Sequence, residues 1–67
     1  MEQFGQRIKD LRTEHKMTQK QLAELLHVRN TTISAWEANI AEPPYETLAE
    51  LARLFQVTTD YLLGLED

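Results

Sequence analysis

The stretch TQKQLAELLHVRNTTISAWE, residues 18–37, contains the pattern that decides the fold. It opens with Thr18 and has Gln21 three residues later, which is the spacing of a capping box. In that motif the Thr hydroxyl accepts a bond from a backbone amide, and the Gln side chain bonds back to the cap residue. A helix is therefore predicted to begin at Gln19. The apolar stripe of this helix consists of Leu22, Ala23 and Leu26.

A further helix follows after a very short connection. Ile33 and Trp36 lie three residues apart and share one face of a predicted helix. Only four residues lie between Leu26 and Thr31, so the two helices must turn sharply and cross closely, as in a helix-turn-helix. A close crossing needs a small side chain at the contact, and Ala23 provides it.

Outward from this stretch, the apolar periodicity predicts three more short helices. The segment from about residue 2 to 14 has apolar residues at i, i+4 and i+7. Pro44 suits the first turn of the next helix, because the amide that proline lacks has no helical partner there. Thr58 caps the last helix and Gly64 ends it. The apolar positions of the two longer helices are Phe4, Ile8, Leu11, Tyr45, Leu48, Leu51, Ala52 and Phe55.

The remaining signals complete the prediction of the fold. The helix containing Trp36 ends near Ala38 and Asn39, since Asn tolerates the left-handed conformation that closes a helix. The stretch from Asn39 to Pro44 is the only one that resembles a linker, and no segment alternates with the period of two that marks a strand. The sequence predicts an all-α fold: one compact five-helix domain over residues 1–67, with the helix-turn-helix at about 18–38.

Length and composition exclude several classes of protein. A chain of 67 residues has room for one small core, and without cysteine it has neither disulfides nor thiolate chemistry. His15 and His27 lack nearby carboxylates in a ligand pattern, so we expect no metal and no other cofactor. Because there is no catalytic His-carboxylate arrangement and no glycine-rich phosphate loop, we expect no enzyme and no small-molecule ligand. No apolar run approaches membrane-spanning length and no signal peptide is evident, which predicts a cytoplasmic protein with no membrane partner.

Charge is unevenly distributed along the chain. Residues 1–36 carry six basic and four acidic side chains, whereas residues 37–67 carry one basic and seven acidic ones. The two parts have net charges of +2 and −6, which give the total of −4. A net acidic chain argues against nonspecific coating of nucleic acid, but the uneven split allows one mildly basic face that binds an anion.

Sequence features along nearly the whole chain belong to one known pattern. They are Phe4-Gly5-Gln6-Arg7-Ile8, Leu11-Arg12, Thr18-Gln19, Leu22-Ala23, Val28, Ile33-Ser34, Trp36-Glu37, Pro43, Glu46-Thr47-Leu48 and Asp60-Tyr61-Leu62-Leu63-Gly64. This set resembles the phage repressor and Cro type of helix-turn-helix domain, often called Xre-like, of which the lambda repressor is the type. The resemblance implies a transcription regulator, and a repressor rather than an activator. It also implies that the protein binds an inverted-repeat operator in double-stranded DNA as a homodimer.

The resemblance also implies where the DNA contacts lie. In this geometry the third helix lies in the major groove with its N-terminal residues on base edges, while the second helix crosses the backbone. Gln19 and Lys20 would then hold a phosphate at the positive end of the second helix. The third helix supplies the base-reading positions, one residue on their flank and one at the helix end. The base-reading positions are Asn30, Thr31 and Ala35. Ser34 lies on their flank, and Asn39 lies at the end of the helix.

The side chains at the base-reading positions favour a half-site rich in A and T. Asn pairs in two ways with adenine, Thr bonds a base or touches a thymine methyl, and Ala offers only apolar contact to such a methyl. Asn30 has an alternative role as the cap of the third helix, in which case its side chain is spent on the backbone.

Four further residues bear on the interface. Arg12 and Glu37 match an ion pair that links the first and third helices in the family; the alternative is two separate solvated charges. Arg29 stands where the family commonly has a Ser cap, and it would reach a phosphate or a guanine unless it is a solvated loop charge. His27 replaces the usual Gly of the turn, where a left-handed residue other than Gly costs roughly 1–2 kcal/mol.

A protein-interaction module is the alternative function for the same fold. Such a module, for example an antitoxin that folds against a toxin, would use the acidic C-terminal half as its contact surface. Several apolar residues outside the core stripes predict a dimer surface toward the C-terminal end. They are Leu25, Ile40, Leu54, Leu63 and Leu65.

Overall fold

The structure, a computed structural model, describes residues 3–67. This range forms five α-helices and no strand, which confirms the predicted all-α fold. The first helix begins later than predicted, and residue 2 of its predicted range lies outside the described residues. The helices are α1 (Phe4–Glu14), α2 (Gln19–Leu26), α3 (Asn30–Glu37), α4 (Tyr45–Phe55) and α5 (Thr59–Leu62).

The start of α2 and the turn after it follow from local sequence. The hydroxyl of Thr18 accepts a hydrogen bond from the Gln21 amide at 3.0 Å, and the Gln21 side chain accepts one from the Thr18 amide at 2.8 Å. This confirms the capping box. His27 closes α2 in the left-handed conformation with φ of 58°, so the turn keeps its shape without a glycine.

The start of α3 corrects one of the alternatives for Asn30. The residue that precedes the helix in extended conformation is Arg29, and no side chain caps the helix. Asn30 is the first helical residue, with its backbone already in the helix. The interpretation of Asn30 as the cap is therefore wrong, because a cap residue must lie outside the helix with its side chain turned back onto the first turn.

One apolar core joins all five helices. Trp36 is 2% exposed, as expected for a core residue on the same face as Ile33. Tyr45, which the periodicity assigned to the apolar stripe of α4, is instead 88% exposed. It is the first residue of α4, directly after Pro44, and this end of the helix extends past the core. The fully buried side chains are Phe4, Ile8, Leu22, Ile33, Leu51 and Leu62.

The C-terminal segment is fastened to α1. Arg7 donates from Nη1 to the carbonyl oxygens of Tyr61 and Glu66, both at 2.6 Å, and its guanidinium lies 4.2 Å from the centroid of the Tyr61 ring. Thr58 caps α5 and Gly64 follows the helix in a left-handed conformation, as the sequence predicts. Among the described residues, no helix has the length and apolar character needed to cross a membrane.

Candidate nucleic-acid interface

One face of α3 is polar and open to solvent. Asn30, Thr31 and Ser34 are exposed, and Ala35 is half-buried beside them. These residues lie on one side of the helix because neighbours three or four positions apart are stacked on the same face. The opposite side carries Ile33, which the core buries completely. The helix thus presents four short side chains outward and is held by its apolar side.

The N-terminus of α2 lies at the C-terminal end of α3, where the side chain of Gln19 bonds to Glu37. The capping box occupies the Gln21 amide, and the first amides of a helix, here those of Gln19 and Lys20, have no acceptor within the helix. The side chains of Lys20 and Arg29 are exposed. The partial positive charge at the N-terminus of α2 and the exposed Lys20 favour an anion there, whereas Arg29 is a separate exposed cation that directly precedes α3.

A buried ion pair ties α3 to α1. Arg12 donates from Nε to one carboxylate oxygen of Glu37 at 2.7 Å and from Nη2 to the other at 3.2 Å. The two side chains are only 11% and 6% exposed. Arg12 also donates to the backbone oxygen of Met17 at 2.8 Å, so the same guanidinium fixes the loop before α2. The alternative of two separate solvated charges does not apply.

Gln19 has a partner that its predicted role did not include. Its side-chain amide donates from Nε2 to Oε1 of Glu37 at 3.0 Å, and the residue is half-buried. The backbone amide of Gln19 remains open to a phosphate, whereas its side chain is directed inward, onto Glu37. Lys20, in contrast, is exposed as a phosphate-contacting residue requires.

Asn39 lies just beyond the C-terminal end of α3, at the opposite end of that helix from Asn30 and Thr31. Its backbone is left-handed with φ of 58°, as predicted, and its side-chain oxygen accepts a hydrogen bond from the amide of Gly5 at 3.1 Å. The side chain of Asn39 thus links the C-terminal end of α3 to the first turn of α1.

Comparison with known families identifies the fold. The sequence model described as helix-turn-helix matches residues 8–62, which contain α2, α3 and the ion pair between α3 and α1. The chain belongs to this helix-turn-helix family. Family membership agrees with the tight connection between α2 and α3 and with the polar outer face of α3.

Known relatives of this helix-turn-helix chain are named as transcription regulators rather than enzymes. The regulator YobD of Bacillus subtilis (strain 168) is 44% identical over 64 residues, covering 96% of this chain and 57% of the relative. The activator BcrR of Enterococcus faecalis is 42% identical over 65 residues, covering 97% of this chain and 32% of the relative. The chain therefore spans little more than half of one relative and about a third of the other.

A repressor domain solved on DNA shares the architecture of this chain. The P22 c2 repressor, crystallised in complex with synthetic operator 9T in the presence of Tl⁺, superposes with a TM-score of 0.86 at 36% identity. The match covers 94% of this chain and 96% of the repressor chain. The similarity thus extends over nearly the whole helix-turn-helix domain and is not confined to α2 and α3.

Two contacts of the interface escaped prediction from sequence. The bond from Gln19 to Glu37 spans 18 positions, and the bond from Gly5 to Asn39 spans 34. A glycine inside a helical pattern is the one available signal for the second contact, because such a glycine often marks close packing. Nothing in the sequence distinguishes a Gln side chain turned inward from one turned to solvent.

Proposed function

We propose that this chain binds double-stranded DNA at specific sequences and regulates transcription, with α3 in the major groove and the start of α2 on the phosphate backbone. The observation that carries the proposal is the exposed polar face of α3, which is backed by a core and a buried ion pair. A helix held rigidly from behind presents its outer side chains in one fixed arrangement, as base recognition requires. The relatives, which are regulators, and the operator-bound repressor with the same architecture support the proposal.

In this proposal the contacts divide into positioning and reading. Lys20, Arg29 and the first amides of α2 hold phosphates, which fixes the register of the domain without selecting a sequence. Asn30, Thr31 and Ala35 meet base edges, and Ser34 flanks them. These short side chains suit adenine and thymine, so an A/T-leaning half-site follows. The cytoplasmic location predicted from the sequence is part of this proposal.

We propose further that the DNA-bound form is a homodimer. Two or three base-reading side chains, each worth roughly 1–3 kcal/mol of discrimination, are too few to separate one site from genomic excess, and a second copy doubles the sum. Of the apolar residues predicted for a dimer surface, Ile40 is 80% and Leu65 is 72% exposed, which supports such a surface. Leu54 is partly buried against the core, so it offers less surface to a second copy.

Selection of bound sites from random duplex DNA by the purified chain tests the proposal. We expect inverted repeats whose half-site centres lie about 10 base pairs apart, one turn of the duplex. The double variant Asn30→Ala, Thr31→Ala is the control, and it should lose the preferred bases while still retaining duplex DNA at low salt. The mass of the complex, measured by analytical ultracentrifugation, should correspond to two chains per duplex.

Three results would count against parts of this proposal. Recovery of single or direct sites only would contradict the homodimer, and an unchanged preference in the double variant would contradict readout by α3. Failure to retain any duplex at low salt would contradict DNA binding altogether, because the phosphate contribution is largest there. In that last case the acidic C-terminal half becomes the contact surface of a protein-interaction module such as an antitoxin.

Whether the chain represses or activates transcription is a separate part of the proposal. The relatives include an activator and a repressor. Repression is the simpler outcome of the proposal, since it requires only that the bound dimer obstruct a promoter. A reporter gene with the selected site placed over the promoter should lose expression when the chain is supplied.

A further inference from the structure

The N-terminal turn of α1 lies directly on the C-terminal end of α3. A Cβ atom added at Gly5 would come within 2.4 Å of the Glu37 carbonyl oxygen and 2.7 Å of the Trp36 carbonyl oxygen. Only a residue without a side chain fits there. The arrangement also brings the partially positive start of α1 to the partially negative end of α3, which is favourable for both helices.

The first turn of α1 takes its cap from a distant residue. Gln3, which precedes the helix, makes no side-chain cap bond. The amide of Gly5, the second residue of α1, instead donates to Oδ1 of Asn39 at 3.1 Å. This amide occupies the position at which a local cap residue normally supplies its side-chain oxygen. Asn39 therefore acts as an N-cap for α1 from a position 34 residues further along the chain.

An asparagine at position 39 meets two structural requirements. With φ of 58°, the backbone needs glycine or a residue that tolerates the left-handed conformation. Glycine would meet that requirement but would bring no acceptor, whereas asparagine meets it and brings an oxygen on a short side chain. The choice of Asn39 is thus explained by contacts within the domain.

We infer that Asn39 is a positioning residue for sequence readout: by capping α1, it fixes the end of α3 and hence the angle at which the outer face of α3 meets DNA. This inference rests on the proposed function. It gives Asn39 a different role from the DNA contact predicted from sequence. A DNA contact would act on phosphate or base, whereas a positioning residue acts only through the orientation of Asn30, Thr31 and Ala35.

The capping part is tested in the free protein by hydrogen exchange of the glycine amides. Asn39→Gly keeps the left-handed backbone and removes the acceptor, whereas Asn39→Asp keeps an acceptor. Protection of the Gly5 amide should fall by about fivefold in Asn39→Gly, the factor that corresponds to loss of a typical N-cap, and should stay in Asn39→Asp. The Gly64 amide, which bonds to Tyr61 at 3.1 Å, is the internal control and should not change in either variant. Unchanged protection of Gly5 in Asn39→Gly would overturn the inference without reference to DNA.

The readout part is tested by the ratio of affinities for a selected site and for a mismatched duplex. A shifted α3 loses base contacts while the phosphate contacts persist, so Asn39→Gly should lower this ratio several-fold and Asn39→Asp should preserve it. An equal loss of affinity for both duplexes would overturn the inference, because it marks a direct phosphate contact by Asn39. Absence of binding by the unmodified chain would instead overturn the proposed function and with it the readout role, leaving the capping result to stand by itself.

Discussion

The carboxylate of Glu37, the last residue of α3, accepts two hydrogen bonds from the guanidinium of Arg12 on α1, at 2.7 and 3.2 Å. This paired geometry is the strongest form of a bond between these groups. Gln19 at the start of α2 donates to the same carboxylate at 3.0 Å. Glu37 thus joins three helices at one point, and that point is the end of the helix proposed to read DNA.

Arg12→Ala should destabilise the domain strongly, because it leaves the Glu37 carboxylate buried with no countercharge. Breaking a buried pair in this way costs roughly 3–5 kcal/mol, which in a domain of this size lowers Tm by well over about 10 °C. Thermal unfolding followed by circular dichroism measures the change. Lys9→Ala is the control, since Lys9 is exposed on the same helix and should melt like the parent. A parent-like Tm for Arg12→Ala would mean that the pair does not support the fold.

Gln19 provides a second test of the same junction. Gln19→Glu places another carboxylate against Glu37 and should destabilise the domain more than Gln19→Met, which only removes one hydrogen bond worth about 1 kcal/mol. Urea unfolding midpoints of the two variants measure the difference. If the Gln19 side chain were solvated instead, both variants would have the midpoint of the parent chain.

Local features of the fold are predictable from sequence because their causes lie within a few residues. The capping box of Thr18 and Gln21, the left-handed residue Asn39 and the stop at Gly64 all depend on the type of one residue and its neighbours. The left-handed conformation of His27, in contrast, is expected only from the family resemblance. The predicted burial of Tyr45 is wrong because periodicity carries too little information. Periodicity assigns a residue to a helix face, but it does not indicate how far the end of that helix extends beyond the core.

Side-chain bonds between helices that are distant along the chain are predictable only through resemblance. The pair of Arg12 and Glu37 joins residues 25 positions apart, and no pattern of charge or spacing in this sequence selects that pair from the other possible ones. The family pattern does select it. The bond from Gln19 to Glu37 and the cap from Asn39 to Gly5 belong to neither category, since they depend on the final orientation of single side chains.

Substitutions on the outer face of α3 should separate readout from stability. Asn30→Ala and Thr31→Ala should each relax the preference at particular base pairs by roughly 1–3 kcal/mol, because the lost bonds are made to base edges. Both residues are exposed, so Tm should stay close to that of the parent. Competition binding with single-base variants of the selected site measures the preference. A uniform loss across all variants would show that these residues do not read bases.

Arg29 should contribute through charge. In Arg29→Ala the slope of log affinity against log salt should become shallower by about 0.9 for each bound copy, if each copy loses one phosphate contact. Arg53→Ala is the matched control, because Arg53 is also exposed but lies in the last turn of α4, outside the helix-turn-helix. Binding measured over a series of salt concentrations gives both slopes. Equal slopes in the two variants would mean that Arg29 is a solvated loop charge.

His27→Gly should stabilise the domain without touching the interface. The left-handed backbone of His27, with φ of 58° and ψ of 41°, costs a residue with a Cβ roughly 1–2 kcal/mol. The greater freedom of glycine in the unfolded chain offsets part of that gain, by about 0.5–1 kcal/mol. A net rise in Tm of a few degrees is expected. His27→Ala keeps the Cβ and should give no such rise, and Gln56→Gly, at the equivalent left-handed position after α4, should behave like His27→Gly. If His27→Gly and His27→Ala melt together, conformational strain at this turn is not what limits stability.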